Sequence, residues 1–277
     1  MAEITRDELE AVLSTLASKG VPVRSYKPDF LRRRTLLRMA ATKSKNAIEY
    51  IALLKRSPTE VRAFYDNISI NVSEFFRDPP VWEGVAKAVR ERVQEKLSSC
   101  LSPSLRIWSA GCSCGEEPYT IAIAVTEALR GTGISPSVAS IYATDIDKDA
   151  LSKAAKGVYT KEALKNVPEK LRGRYFEEAD VDGERRYSVL GDIRGMVRFR
   201  QHNLVSDPPM LFFDMVFCRN LLIYFSQEIQ RSVISKFSAA LHKGGFLVLG
   251  MNEMIMFEDT GFEAYDPRNR IYRKALF

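Results

Sequence analysis

The stretch Trp108-Ser109-Ala110-Gly111-Cys112-Ser113-Cys114-Gly115-Glu116-Glu117-Pro118-Tyr119 constrains this 277-residue chain more than any other. Leu105, Ile107 and Trp108 predict a strand, Gly111 and Gly115 bracket a tight turn, and Glu116, Glu117 and Pro118 open a helix. Glycine permits the turn and a close backbone approach. Carboxylates suit the positive end of a helix dipole, and a proline in the first turn forfeits no hydrogen bond. Strand, glycine turn and helix in that order open the nucleotide pocket of a doubly wound α/β domain. A pyrophosphate normally takes the place at such a helix start, and two carboxylates there repel it. They suit a ribose hydroxyl or a cation instead. The reading favours S-adenosylmethionine (SAM), a sulfonium without phosphate. A dinucleotide is disfavoured further because Gly111 and Gly115 stand four apart and make no G-x-G-x-x-G.

The rest of the chain extends an α/β alternation. Strands are predicted at Leu105–Ser109, Ser140–Thr144, Phe213–Cys218 and Phe246–Gly250, with helices over Glu116–Arg130 and Lys148–Lys156. Ser226 caps a further helix that ends at His242-Lys243-Gly244-Gly245, with His242 as a cation in its last turn. Asp266-Pro267-Arg268-Asn269 reads as a turn between two final strands, the antiparallel edge of a SAM-dependent methyltransferase sheet. Asp78 as cap and Pro79 as first residue start a helix whose buried face is Trp82, Val85, Val89 and Val93. Residues 157–202 interrupt the alternation. Asp182-Gly183 is a hairpin turn, and Val197-Arg198-Phe199-Arg200 alternates as a half-exposed strand does, so a small antiparallel insertion is expected.

Composition bounds the partners. The chain is 45% hydrophobic and 27% charged, ordinary globular usage. No apolar run approaches the roughly 20 residues of a membrane span. The first residues show no secretory h-region, and the four cysteines read as reduced thiols without metal-ligand spacing, so a cytoplasmic, metal-free protein is expected. The net charge of +6 favours an acidic partner, whether nucleic acid, anionic lipid or an acidic protein surface. Arg32, Arg33, Arg34 and Arg38 concentrate that charge in a helical, basic N-terminal segment, and Arg34 and Arg38 share a face. The cluster is either a solvated face or a docking surface for acidic residues.

Three further segments join the glycine turn: Asn71-Val72-Ser73-Glu74-Phe75-Phe76-Arg77-Asp78, Ala143-Thr144-Asp145-Ile146-Asp147, and Phe217-Cys218-Arg219-Asn220-Leu221-Leu222-Ile223-Tyr224-Phe225. In combination, from about residue 25 to the C-terminus, the set resembles the chemotaxis receptor glutamate methyltransferase (CheR) family. The resemblance implies an all-α N-terminal domain over residues 1–78, serving receptor docking. It implies a Rossmann-like SAM-dependent methyltransferase domain over 79–277, with an inserted antiparallel β-subdomain at about 157–202. The implied reaction moves a methyl group from SAM to glutamate side chains on the cytoplasmic signalling domain of chemoreceptors. Its products are glutamate methyl esters and S-adenosylhomocysteine (SAH). Some family members also grip a receptor's C-terminal peptide with the β-subdomain.

Residue roles follow from the residues and the resemblance together. Asp145, ending the second strand, is read as the acceptor for both ribose hydroxyls. Glu116, rather than Glu117, is placed beside the methionine ammonium or the ribose. Ala110 and Gly111 line the cofactor through backbone. Asn71, Ser73 and Arg77 match the family's Asn-x-Thr-x-x-x-Arg pattern, which the resemblance places among the cofactor contacts, with Ser73 keeping the hydroxyl in place of threonine. Asn203 and Leu204 are placed at the adenine edge, and Asn220 and Leu221 just past the fourth strand. Phe75 and Phe76 are read as core. Glutamate, with a pKa of about 4.3, is already an anion near neutrality, so no general base is needed. The catalytic work is alignment; Arg77 is assigned to position the incoming carboxylate and Tyr224 to line its approach. The competing readings are a SAM-dependent nucleic-acid methyltransferase, a catalytically silent SAM-binding module and a nicotinamide dehydrogenase. The first lacks a base-flipping signature such as Asn-Pro-Pro-Tyr, and no nucleic-acid partner is expected.

Overall fold

The computed structural model describes residues 4–69, 73–181, 183–256 and 260–276. The chain divides into two compact units: residues up to 70 together with Tyr224–Gln230, and Asn71–Ile223 together with Arg231–Phe277. The division falls at 70/71 rather than at 78.

The first unit holds helices α1 (Arg6–Ser18), α2 (Pro28–Ala41), α3 (Ala47–Arg56) and α4 (Pro58–Ile68). Each start has a local cause. Thr5 and Glu8 form a reciprocal capping box, Asn46 and Ser57 cap α3 and α4, and prolines open α2 and α4 where a missing N–H costs nothing. Val12, Leu16, Leu31, Met39, Tyr50, Leu54 and Phe64 fill the core between them.

A polar triad sits at the margin of that core and corrects the docking cluster. Arg38 Nη2 lies 2.5 Å and Nε 3.0 Å from the two oxygens of Glu60, which also accepts from the Tyr50 hydroxyl at 2.8 Å. Glu60 is buried. Leu31, Thr35 and Met39 are the inward face of α2, so positions 34 and 38 flank it and turn their stems inward. Arg34 is half-buried, with its guanidinium 5.2 Å from the Phe30 ring centre. Arg38 is thus an internal ion-pair partner, and the exposed cations of the cluster are Arg32 and Arg33.

The second unit runs α5 (Pro80–Ser98), β1 (Leu105–Ala110), α6 (Glu116–Leu129), β2 (Ala139–Asp145), α7 (Lys148–Lys156), β3 (Val158–Tyr159), α8 (Glu169–Tyr175), β4 (Phe176–Val181), β5 (Glu184–Val189), α9 (Gly191–Gly195), β6 (Val197–Gln201) and β7 (Phe213–Cys218). Helix α10 (Gln227–Ala240) and strands β8 (Leu241–Leu249), β9 (Phe262–Asp266) and β10 (Ile271–Lys274) complete the chain. The seven-stranded sheet has the order β6-β2-β1-β7-β8-β10-β9. Its first five strands are parallel and the β9–β10 hairpin closes the edge antiparallel. Every residue of β7 is buried, as a central parallel strand covered on both faces must be. Val85, Val89 and Val93 of α5 and Ile121, Val125 and Leu129 of α6 share one core with the strands.

Three sequence expectations need correction here. The antiparallel insertion is the separate sheet β3-β5-β4, whereas β6 pairs parallel with β2 in the main sheet. An exposed edge strand alternates like a hairpin strand, and the pattern cannot tell them apart. Asp78 does not cap α5: it stands at φ 53°, its carboxylate accepts from Arg219 at 2.8 Å, and the helix starts at Pro80. Finally, α10 stops at Ala240, and Leu241 to Gly245 already belong to β8, where Gly244 at φ 73° adjoins an irregular stretch of pairing with β7. His242 is therefore no helix-terminal cation. Burial lowers its pKa, and Arg92, Lys96 and Arg106 add to that effect against Asp214.

Candidate active site

Strands β1, β2, β7 and β8 run parallel, so their C-terminal ends open on one edge of the sheet, where ligands of such folds bind. The loop after β1 is stitched to β2 by Gly111 N and Cys112 N, which both donate to the Thr144 carbonyl, at 2.8 and 2.9 Å. Gly111 has φ 77°, and a Cβ there would stand 2.6 Å from Leu221 Cδ2. Gly115 has φ 96°, and its Cβ would stand 2.8 Å from both Ala154 Cβ and the Tyr159 hydroxyl. Both glycines are required by backbone and by protein neighbours. Leu221, from the far loop after β7, closes directly over Gly111.

Two carboxylates line this edge. Asp145 Oδ2 accepts from Ser113 N at 2.8 Å and Oδ1 from Asp147 N at 2.9 Å. Ile146 is a further backbone donor to this carboxylate, whose roughly four lone-pair sites still leave capacity for a ligand. Burial raises the Asp145 pKa while those backbone donors lower it. The helix cap of α7 is Asp147, which accepts from Asp149 N and Ala150 N, so Asp145 is not spent on capping. Glu116, the first residue of α6, is 7% exposed. Burial pushes its pKa up to about 7, with its own backbone and the Ser73 hydroxyl opposing. Among the described residues its Oε2 is buried without a hydrogen-bond partner. A buried orphan carboxylate oxygen calls for a donor or a cation.

A second group of charges surrounds Arg77. Its neighbours Phe76 and Asp78 stand at φ 49° and 53°, a left-handed backbone that costs non-glycine residues of the order of 1–3 kcal/mol each and persists only where the surroundings hold it. Here they do. Phe76 N donates to the Thr120 hydroxyl at 3.2 Å. The Arg77 carbonyl accepts from Trp82 Nε1 and Arg219 Nη2, both at 3.0 Å, and Arg219 pairs with Asp78 while lying 5.4 Å from the Trp82 ring centre. Glu117 accepts from the Ser109 hydroxyl at 2.7 Å. Burial raises its pKa, with Arg219, then Ser109, and more weakly Arg77, drawing it down. Sequence reasoning missed Arg219 and set Glu117 aside. Arg219 adjoins Asn220 in the quoted motif, and a guanidinium inside an apolar strand end was the available signal.

The remaining predicted residues separate into groups. Ala110 ends β1 and is buried, as are Phe75 and Phe76, which belong to the core. Asn203 spends its side-chain oxygen on Val205 N and Ser206 N, at 3.0 and 3.2 Å, and Leu204 is buried. That loop is gripped by Lys236, whose ammonium donates to the carbonyls of Leu204, Val205 and Asp207 at 3.0, 2.6 and 2.8 Å. Asn220 follows β7 at φ 60°. His202 is buried, with Nε2 3.1 Å from the Pro208 carbonyl and its ring edge-on to Trp108. Tyr224 groups with the helical unit, where its carbonyl accepts from Lys27 N at 2.8 Å and its ring lies 5.0 Å from Phe30. Asn71 lies outside the described residues. Among the described residues no group of three or more His, Cys, Asp and Glu could hold a metal ion, and no helix is long and apolar enough to cross a membrane.

The donor set fits SAM: a carboxylate with spare acceptors at the end of β2, and an orphan carboxylate oxygen at the start of α6. A doubly wound parallel sheet, an antiparallel edge hairpin and two carboxylates in place of a phosphate-binding glycine motif at the strand ends are the marks of a SAM-dependent methyltransferase. Comparison with known proteins narrows the class. The CheR methyltransferase SAM-binding domain matches residues 71–270, and the CheR methyltransferase all-alpha domain matches residues 8–69. A chemotaxis protein methyltransferase of Borreliella burgdorferi is 31% identical over 257 residues, covering 91% of this chain and 89% of that protein. One from Listeria innocua is 33% identical over 238 residues, covering 86% of each. An uncharacterized 104.1 kDa protein of Rhodobacter capsulatus is 31% identical over 268 residues, and this chain spans 27% of its length. The chain belongs to the CheR methyltransferase family.

Proposed function

We propose that this chain methylates glutamate side chains on the cytoplasmic signalling domain of chemoreceptors, giving glutamate methyl esters and SAH, and that it works in the cytoplasm. When bound, SAM supplies an electrophilic methyl group. Asp145 holds the ribose through its two oxygens, and Glu116 holds the methionine ammonium. Asn71, Ser73, Ala110, Gly111, Asn203, Leu204, Asn220 and Leu221 complete the cofactor set. The incoming carboxylate is already ionised, so this chain's residues have no proton to remove. Their work is to orient that carboxylate and keep water from it. Arg77 performs the orienting, and Tyr224 is the second catalytic residue of the proposal.

The observation that carries this reading is the Arg77 turn. Two left-handed non-glycine residues, clamped by Thr120, Trp82 and Arg219, fix the Arg77 backbone, and the charge of Arg77 acts on the buried Glu117 carboxyl. The helical unit supplies docking through the exposed Arg32 and Arg33, and the three-stranded β3-β5-β4 sheet is the candidate grip for a receptor's C-terminal peptide. The test is to incubate the enzyme with SAM and a purified receptor signalling domain, then map the methyl groups by peptide mass spectrometry. Methyl groups on glutamates support the proposal; methylation of other side chains, or none, contradicts it.

A further inference from the structure

Glu253 has no place in the site described above, yet it is 4% exposed at the C-terminal edge of the sheet. Its Oε2 accepts from Gly250 N at 2.7 Å and Asn220 N at 2.9 Å, and its Oε1 from Ile223 N at 3.3 Å. One buried carboxylate therefore gathers backbone donors from two loops, the one after β7 and the one after β8. A backbone with Asn220 at φ 60° turns successive N–H groups inward, and without an acceptor they would be orphaned in the interior. The packing is tight. A Cβ on Gly250 would stand 2.7 Å from Asn220 N, 2.8 Å from Glu253 Oε2 and 3.0 Å from Asn220 Nδ2. From there the contact continues outward, because Leu221 of the same loop closes over Gly111. A line of contacts thus runs from Glu253 through residues 220–223 to the glycine turn after β1.

We propose that Glu253 is a positioning residue that fixes the loop after β7, so that Asn220 and Leu221 meet the cofactor in one geometry. It acts through the backbone and touches neither substrate. The inference rests on the reading of Asn220 and Leu221 as cofactor residues. Its chemistry is that of a carboxylate in a nest of backbone donors, where each donor stranded by truncation costs its desolvation.

The test is SAH calorimetry, with SAM kinetics, on Glu253→Ala, Glu253→Gln, Gly250→Ala and Asn220→Ala. Glu253→Ala is expected to weaken SAH binding by about tenfold or more. Glu253→Gln keeps one acceptor oxygen and is expected to recover part of that loss. Gly250→Ala presses on Asn220 with the carboxylate intact, and is expected to weaken SAH in the same direction. In each, KM for SAM rises more than kcat falls. A merely structural role lowers the folded fraction, seen as binding stoichiometry, and leaves the SAH affinity of that fraction unchanged; that result overturns the inference. If Asn220→Ala weakens SAH while the Glu253 and Gly250 variants bind normally, the site reading stands and the inference falls. If Asn220→Ala binds SAH normally, the site reading itself falls. Should Glu253→Ala fail to fold, Glu253→Gln and Gly250→Ala carry the same decision.

Discussion

Titrating SAH binding between pH 6 and 8 tests what the buried Glu116 carboxyl faces. Burial holds its pKa near 7 in the ligand-free protein. The group is then about one-tenth ionised at pH 6, half at pH 7 and nine-tenths at pH 8. SAH retains the methionine ammonium, and a cation beside a carboxyl favours its ionised form. If only the anion receives the ammonium, affinity rises about tenfold from pH 6 to pH 8, about 1.4 kcal/mol. Roughly half a proton leaves per ligand bound at pH 7. Calorimetry in two buffers of different protonation enthalpy reads that proton directly. Glu116→Gln should abolish the pH dependence and bind SAH more weakly at pH 8. It should also stabilise the ligand-free protein at pH 8. A carboxyl whose folded pKa lies above its unfolded value contributes stability that is lost as pH rises through the folded pKa. Affinity that is flat from pH 6 to 8, with no proton released, refutes the assignment of Glu116 to the ammonium.

The other expectations concern single side chains. Asp145→Ala should weaken SAH by about a hundredfold, from two charged hydrogen bonds lost at about 1.5 kcal/mol or more each; calorimetry showing unchanged affinity removes Asp145 from the ribose. Arg77→Ala should lower turnover far more than SAH affinity, and equal losses would move Arg77 to the cofactor or the scaffold. Arg38→Ala should cost about 2–3 kcal/mol in denaturant unfolding, because Glu60 stays buried beside Tyr50 without its cation. Arg32→Glu combined with Arg33→Glu should leave stability unchanged, raise the receptor KM and flatten its salt dependence. Should Arg38→Ala alter only the receptor KM, the four-arginine cluster would be restored as one docking surface.

What was legible in the sequence is what has a local cause. Helix α7 reads to the residue, since Asp147 caps its start and Gly157, left-handed, ends it. Strand β7 reads as cleanly, because Phe213–Cys218 is apolar at every position but Asp214, the near-continuous pattern of a central parallel strand. The turn between β9 and β10 announces itself through Asp266 and Pro267. The errors have distant causes. Arg38 belongs to Glu60, 22 residues away, and Asp78 to Arg219, 141 residues away, so neither pairing leaves a local trace. His242-Lys243-Gly244-Gly245 has the composition of a helix end, but pairing with β7 claims it for β8. At the site, Glu116 and Asp145 were visible because each ends or begins an element. Glu117 was read beside Glu116 but passed over, and Glu253 was not seen at all, because a lone carboxylate in a loop carries no pattern until the sheet brings its partners to it.

The central claim is the transfer of a methyl group to a carboxylate, and alkali reads that bond directly. The enzyme would be incubated with methyl-labelled SAM and membranes carrying a chemoreceptor, and the receptor band then treated with mild base. The account predicts label on the receptor that leaves as volatile methanol, the mark of a glutamate methyl ester, and loss of that label with Arg77→Ala. Label that survives the base, or that sits on nucleic acid, would contradict it.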